Sequence, residues 1–216
     1  MEQQWKGWAK SAKRPVAITG AGISVPSGLP TAAAKWRGFT LQEIFTVDMY
    51  RREPETFYRC YREMLLDWRT AQPNPAHRAL AEAKVSVITQ NIDGLHQKAG
   101  SAEVLEVHGN LRELICETCY ALYPSEEAKG DRTPCCPSCQ QLLKPNIVLA
   151  GEDVRHIAIA VDRVGQADLL LIVGTKLEMK PVCALPKIAE EKGVPIIRCN
   201  HSAELLLPEL CEWLKR

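Results

Sequence analysis

The 216-residue sequence predicts an α/β fold in which a parallel sheet carries a smaller zinc-binding domain. Two observations lead to this expectation: short apolar runs alternate with helical patterns, and a cysteine-rich segment interrupts that alternation. Nearly continuous apolar runs are typical of parallel strands that are covered on both faces. The runs are Val16–Thr19, Val85–Thr89, Leu169–Val173 and Val194–Arg198, and Val104–His108 is a further short strand.

Helical patterns fill the intervals between the predicted strands. Leu41 to Asp67 carries apolar and aromatic residues at helical spacing, with a break at Pro54. A short helix is expected over Ala76–Ala83, and another over Pro181–Lys192 with Gly193 as its C-terminal cap. Residues 112–144 do not follow this alternation of strands and helices, and we interpret them as an inserted zinc ribbon.

Polar or glycine-containing turns follow the first three strands. These turns are Gly20-Ala21-Gly22, the segment from Gln90 to Asp93, and Gly174-Thr175. Ligands bind at the carboxyl ends of strands in open α/β sheets, so the turns predict a binding site. Glycines there let backbone amides approach a pyrophosphate, although Gly-x-Gly alone also occurs in many turns that bind nothing.

The cysteine spacing predicts a structural metal site. Cys116 and Cys119 form one Cys-x-x-Cys pair, and Cys136 and Cys139 form a second pair sixteen residues later. Four thiolates complete a tetrahedral zinc shell and leave no position for a substrate. Cys135 is adjacent to Cys136, and we assign the third ligand to Cys136 because it keeps the two-residue spacing.

Composition limits the partners and the compartment. The net charge of +1 lacks the basic excess of a nucleic-acid binder, so no direct nucleic-acid partner is expected. No apolar run approaches the ~20 residues of a membrane span, and no partner membrane is expected. The first residues lack the apolar region of a signal peptide, and cysteines used for metal suit a reducing compartment, so a cytoplasmic location is expected. The sequence leaves the oligomeric state open and is compatible with a monomer.

Several motifs together resemble the sirtuins. The motifs are Gly20-Ala-Gly-Ile-Ser24 with Ser27-Gly-Leu-Pro30, Thr89-Gln-Asn-Ile-Asp-Gly-Leu-His96, His108-Gly-Asn110, the two cysteine pairs, Pro145–Val148 with Gly151-Glu152, and Gly174-Thr175. They follow the order and spacing of that family from about residue 15 to residue 200. The resemblance implies an NAD-dependent protein lysine deacylase that acts on acyl-lysine protein substrates and releases nicotinamide and O-acyl-ADP-ribose. Its fold would be a Rossmann-like parallel sheet with a smaller zinc-ribbon and helical domain, and it would bind one structural zinc.

The resemblance also implies how the chain is divided and used. Residues 1–30, 81–111 and 148–216 would form the NAD-binding domain, and residues 31–80 and 112–147 the small domain. His108 would be the general base, a role that suits an imidazole because it titrates near working pH, and Asn91 would assist it. Cofactor contacts are expected from Gly20, Ala21, Gly22, Ser24, Pro30, Gln90, Asn91, Ile92, Asp93, Gly174, Thr175, Lys176 and Asn200, and substrate contacts from Val148, Ala150 and Gly151. His96 would close a structural turn, whereas His77, His156 and His201 have no motif and are expected at the surface or at helix caps.

The chain departs from the family pattern in four places, one of which is Lys176, where the family usually has a serine. Where the family has a phenylalanine and an arginine after the cofactor turn, this chain has Thr31-Ala32-Ala33, and Trp36 and Arg37 are the candidate replacements. Ala150 stands where a bulkier residue is usual, which would admit a longer acyl group. Tyr58 and Arg62 resemble, one position out of register, a pair that binds acidic acyl groups, although packing of Tyr58 in the small domain is the favoured alternative.

Two other functions compete with deacylation. The altered loop at 31–33 would favour an NAD glycohydrolase or an ADP-ribosyltransferase if it let water or another nucleophile reach the reacting ribose. An NAD-binding sensor is the third hypothesis, but binding alone does not require the general base that His108 supplies.

Overall fold

A computed structural model describes residues 2–31, 34–36, 38–130 and 132–215. The main sheet has five parallel strands, which are β1 (Pro15–Thr19), β4 (Ser86–Thr89), β5 (Val104–Glu106), β9 (Leu169–Val173) and β10 (Ile196–Cys199). Their order across the sheet is β10-β9-β1-β4-β5. The predicted parallel α/β sheet is therefore confirmed.

Alternate residues of the central strands pack into two cores on opposite faces of the sheet. Ala17 and Leu171 belong to a core completed by α1 (Glu2–Ser11), α5 (Pro75–Glu82) and α9 (Ala203–Leu214). Ile18 and Ile172 face the other core, which is covered by α7 (Ile157–Gln166) and α8 (Leu185–Glu191). Both faces are thus buried, which explains why these strands are continuous apolar runs.

A third core lies in the region that contains the cysteines. It joins α2 (Leu41–Ile44), α3 (Val47–Arg52) and α4 (Pro54–Trp68) to an antiparallel sheet of β6 (Gly109–Cys116), β7 (Leu122–Pro124) and β8 (Leu143–Ile147). The described elements also include β2 (Lys35–Trp36), β3 (Phe39–Thr40) and α6 (Leu95–Lys98). Short 3-10 helices cover Ala21–Ser27, Ser125–Ala128 and Val182–Ala184. The chain ranges assigned to each domain stay a prediction.

Some predicted boundaries were wrong, for local reasons. The fourth strand starts at Ile196 because the Val194 N–H is bonded to the Ala189 carbonyl at the end of α8 and Pro195 has no N–H to donate. The segment 41–67 contains a second break before Pro54, where the Thr46 side chain accepts the Met49 N–H at 3.0 Å and starts α3. Pro54 itself opens α4, a position that suits proline.

Candidate functional site

A cavity of about 250 Å³ lies at the carboxyl ends of β1 and β4, against the loop that follows β8. Eleven of the predicted cofactor, catalytic and substrate residues line it together. They are Ala21, Ser24, Pro30, Gln90, Asn91, Ile92, Asp93, His108, Val148, Ala150 and Gly151. Residues that were not predicted as site residues complete the wall, namely Leu29, Leu41, Gln42, Phe45, Trp68, Ile147, Leu149, Glu152, Val154, Met179 and Lys180.

The glycine turn after β1 lies directly on the turn after β9. The Gly22 N–H donates to the Gly174 carbonyl at 2.9 Å, and a Cβ on Gly22 would lie 2.7 Å from that oxygen. Gly174 has φ +63, and a Cβ there would lie 2.2 Å from the Ile23 nitrogen. Both positions therefore require glycine, and the turn can present bare backbone to a pyrophosphate.

Thr175 connects this turn to the second strand end and to β10. Its hydroxyl accepts the Gln90 side-chain amide at 2.9 Å, and its N–H donates to the Asn200 carboxamide oxygen at 3.1 Å. Gly174, Thr175, Lys176 and Asn200 do not line the cavity, and Lys176 and Asn200 are exposed. These residues lie on the far side of the glycine turn, where an extended ligand could reach them from the cavity.

A polar cluster lines one part of the cavity. The Ser24 hydroxyl donates to Asp93 at 2.7 Å and accepts the Asn91 amide at 3.1 Å. The Leu95 N–H donates to the other Asp93 oxygen at 2.9 Å. Burial raises the pKa of the Asp93 carboxyl, and these hydrogen bonds act in the opposite direction. The cluster offers a carboxylate, an amide and a hydroxyl, which are donors and acceptors suited to a carboxamide or a ribose.

His108 lines the cavity and has one ring nitrogen that lacks a hydrogen-bond partner. Its Nδ1 lies 3.0 Å from the Gln90 carbonyl, which can only accept, so Nδ1 carries the proton. The buried Nε2 has no hydrogen-bond partner and keeps its lone pair. Burial lowers the pKa of the His108 imidazole, and its bond to Gln90 raises it. The arrangement leaves a neutral imidazole that can take a proton at Nε2.

A close approach of two strands fixes the His108 backbone. Gly109 has φ +76, and a Cβ at this position would lie 2.1 Å from the Asn146 carbonyl oxygen on β8. The Glu113 carboxylate accepts the side-chain amides of Asn110, at 3.1 Å, and Asn146, at 2.8 Å. Glycine after His108 is thus required by packing, and the carboxylate joins the two strands beside it.

Two buried histidines stand behind the polar cluster. His96 is 1% exposed, as a structural residue should be, and its Nε2 lies 3.0 Å from the Thr19 hydroxyl. The expectation that His77 lies at the surface or at a cap is wrong: it is 0% exposed and its ring centroid lies 4.9 Å from that of His96. Its Nε2 lies 3.4 Å from the Ser24 hydroxyl. His156 stands at the N-cap of α7 and His201 is exposed, as expected.

Tyr58 and Arg62 do not reach the cavity, so their assignment to substrate binding is a wrong prediction. The Tyr58 side chain is fully buried in the small core, and its hydroxyl donates to the Leu143 carbonyl. Arg62 donates to the carbonyls of Ala128 and Arg132, both at 2.6 Å. Packing and backbone bonds use both side chains, as the favoured alternative for the tyrosine anticipated.

The four predicted metal ligands meet at one point. The sulfurs of Cys116, Cys119, Cys136 and Cys139 lie within 4.8 Å of one another, with Cys116–Cys139 at 3.4 Å and Cys119–Cys136 at 3.6 Å. Tetrahedral Zn–S bonds of about 2.3 Å place sulfurs roughly 3.8 Å apart, so the group fits zinc.

The two cysteine pairs form equivalent turns. Tyr120 and Gln140, each directly after the second cysteine of a pair, have φ +59 and donate their N–H at 2.9 Å to the carbonyl of the first cysteine. Cys135 lies outside this pattern: it is exposed and its sulfur lies 3.8 Å from the Thr133 carbonyl. The geometry favours Cys136 as the third ligand.

The altered loop of the sequence falls largely outside the described residues. Ala32, Ala33 and Arg37 are not described, nor is the Trp36 side chain. The proposal that Trp36 and Arg37 replace the family's shielding residues stays a prediction. In the described part of the chain, no helix combines the length and the apolar character needed to cross a membrane.

Comparisons with known proteins agree on one family. The model of the Sir2 family matches residues 20–181. An NAD-dependent protein deacetylase of Chromobacterium violaceum is 38% identical over 205 residues, which cover 88% of this chain and 83% of that protein. An NAD-dependent protein deacylase of Thermus thermophilus is 37% identical, covering 92% and 84% of the two chains.

Solved structures of Sir2 proteins share the fold. A Sir2 homologue in complex with NAD has a TM-score of 0.92 at 30% identity and covers all of this chain and 94% of its own. A Sir2 protein with a p53 peptide and NAD⁺ has a TM-score of 0.86 at 32% identity, covering 98% of each chain.

Proposed function

This chain belongs to the Sir2 family, and from that premise we propose that the cavity beside His108 is where it removes acyl groups from lysine side chains with NAD. The chain is an NAD-dependent protein deacylase with a structural zinc. The observation that carries the site assignment is the His108 Nε2, which is buried in the cavity wall without a partner. A group left unsatisfied in this way is costly unless a ligand uses it.

The residues present fit NAD. Gly20 and Gly22 have no room for a Cβ, and their turn would receive the pyrophosphate, with Thr175 and Asn200 beyond it. Ser24, Asn91 and Asp93 would hold the nicotinamide end, and Gln90 would lie near the ribose. When bound, NAD supplies a ribose carbon that accepts the acyl oxygen as nicotinamide leaves.

The hydrogen bonds of the residues that line the cavity indicate the role of each side chain. Gln90 holds His108 in one tautomer through its carbonyl, so that Nε2 is ready to accept a proton from a hydroxyl in the cavity. Asn91 stabilises the Ser24 hydroxyl, which in turn donates to Asp93 and keeps the carboxylate in place. The Val148 carbonyl would accept the N–H of the acylated lysine, with Ala150 and Gly151 along the same loop.

The acyl group is proposed to be uncharged. The wall contains Leu41, Phe45, Trp68, Ile92 and Leu149, all apolar. Among the described lining residues Lys180 is the one cationic side chain, and it is exposed. A buried carboxylate on the acyl group would have no partner there and would pay a desolvation penalty.

One assay tests these assignments. The protein is incubated with NAD and peptides that carry acetyl-, butyryl- or succinyl-lysine, and the products are identified by mass spectrometry. O-acyl-ADP-ribose from the uncharged peptides is expected. Free ADP-ribose or a modified protein formed without peptide would instead indicate a glycohydrolase or a transferase, an alternative that the names of the relatives do not favour.

A further inference from the structure

An ion pair joins β8 to the loop that follows it. The Lys144 side chain is 4% exposed and its ammonium lies 2.7 Å from the Glu152 carboxylate. The ammonium also donates to the Ile147 carbonyl at 3.0 Å, and Glu152 accepts the Leu149 N–H at 2.8 Å. The pair therefore holds backbone groups on both sides of Val148.

These bonds determine how the peptide units around Val148 are oriented. In the unit between Ile147 and Val148, the carbonyl is held by Lys144 and the N–H donates to the His108 carbonyl at 2.8 Å. In the next unit, Glu152 holds the Leu149 N–H. A trans peptide is planar and its N–H and C=O point in opposite directions, so the Val148 carbonyl points away from the Glu152 carboxylate.

We propose that Glu152, through its bond to the Leu149 N–H, is a positioning residue that directs the Val148 carbonyl towards the amide N–H of the acylated lysine. The inference rests on the proposed function, because it assigns a further residue to the same substrate site. Val148 lines the cavity, and its backbone is joined to that of His108, so the carbonyl that would receive the substrate and the proposed base share one rigid support.

The test compares two double variants that differ in one hydrogen-bond acceptor. Lys144→Met with Glu152→Gln removes both charges but keeps an oxygen for the Leu149 N–H. Lys144→Met with Glu152→Leu removes the charges and that oxygen at nearly the same size. Circular dichroism and melting temperature establish that both fold. Lys215→Met, at a surface pair with Glu82 far along the chain, is the control for loss of an ion pair.

The readout is the dissociation constant of an acetyl-lysine peptide and of its ester isostere, in which oxygen replaces the amide N–H. Wild type, the Lys215→Met control and the glutamine variant should bind the amide about tenfold more tightly than the ester. In the leucine variant this preference should fall to about twofold or less. A merely structural role would weaken both peptides equally and leave the preference unchanged.

Equal preference for the amide in the glutamine and leucine variants would overturn the inference. So would a wild type that deacylates the amide peptide but binds amide and ester equally. A wild type that neither binds nor deacylates the peptide contradicts the proposed function instead. If the leucine variant does not fold, Glu152→Asp replaces it, because aspartate keeps a charge near Lys144 and withdraws the carboxylate from Leu149; it too should lose amide preference.

Discussion

The Nδ1 of His108 lies 3.0 Å from the backbone carbonyl of Gln90, which joins the proposed base to the end of the second strand of the sheet. The bond fixes both the ring and its tautomer, since a carbonyl cannot donate. Because Gln90 also reaches Thr175 through its side chain, one residue links the proposed base to the cofactor turn.

The first prediction concerns the pH dependence of deacylation. Burial lowers the pKa of His108 below its ordinary value of 6.5, and the base works when neutral. The fall of kcat/KM towards low pH, as the imidazole gains its proton, should therefore have its midpoint below pH 6.5. His108→Ala should lose about 10²- to 10⁴-fold in kcat. The measurement is a pH–rate profile; a midpoint above pH 6.5 would contradict the assignment.

The second prediction concerns stability in acid. Burial lowers the pKa of His77 to about 4 and that of His96 to about 3, whereas both stand near 6.5 when exposed. The unfolded chain then binds more protons between those values, so the free energy of unfolding should decrease as pH falls from 6.5 towards 4. Each histidine contributes at most about 1.4 kcal/mol per pH unit.

Urea titrations at several pH values measure this effect. His77→Gln should flatten the dependence, while His201→Gln, at an exposed position, should leave it unchanged. A profile as steep in His77→Gln as in wild type would count against a neutral buried imidazole at this position.

The third prediction concerns the metal. Metal analysis of the purified protein should find one zinc per chain. Cys136→Ser should abolish the zinc and lower the melting temperature, because its sulfur lies in the cluster. Cys135→Ser should retain both, since this thiol is exposed and lies outside the cluster. Full zinc content in the Cys136 variant would refute the ligand assignment.

The fourth prediction concerns the contact between the two turns. Gly174→Ala combines a left-handed backbone with a Cβ 2.2 Å from the Ile23 nitrogen, so the cofactor turn must shift. Gly193→Ala has a similar φ of +68 but open space around the Cβ. The left-handed backbone should cost each variant about 1 kcal/mol of stability, and the Gly174 variant should lose more because of its clash. Only the Gly174 variant should lose the thermal stabilisation that NAD gives. Equal NAD effects in both variants would contradict a role of this contact in binding.

The fifth prediction concerns acyl selectivity. Tyr58→Phe removes the bond to the Leu143 carbonyl and should cost about 1 kcal/mol of stability without changing the ratio of acetyl to succinyl turnover. Trp68→Ala removes a large side chain from the cavity wall and so enlarges the cavity. It should raise the rate on butyryl-lysine relative to that on acetyl-lysine. Rates on the three acyl peptides provide the comparison, and a changed succinyl ratio in Tyr58→Phe would restore the rejected assignment.

The elements that sequence reasoning located are those with a local signal. A strand such as Leu169–Val173 and a pair of cysteines at fixed spacing can each be recognised from residues that are close together in the chain. The structure contains both the strand and the cysteine cluster. His77 and Tyr58 have no such signal, because a side chain on an amphipathic helix is placed by the partner that packs on it. The partners of Tyr58, at Leu143, and of His77, at Ser24, are 85 and 53 residues away in the chain. Trp68 could not be assigned to the cavity for the same reason.

The ladder of β6 and β8 has the cysteine cluster at one end and the cleft at the other. Cys116 pairs with Leu143, and Gly109, next to His108, pairs with Ile147, next to Val148. On the β8 side, from Leu143 to Ile147, this ladder spans roughly 13 Å at about 3.3 Å per residue. Damage to the thiolates by an oxidant would therefore release the far end as well, and activity would be lost without any chemical change in the cleft. We therefore expect the activity to depend on the redox state of the cysteine cluster, although the cluster lies outside the cleft.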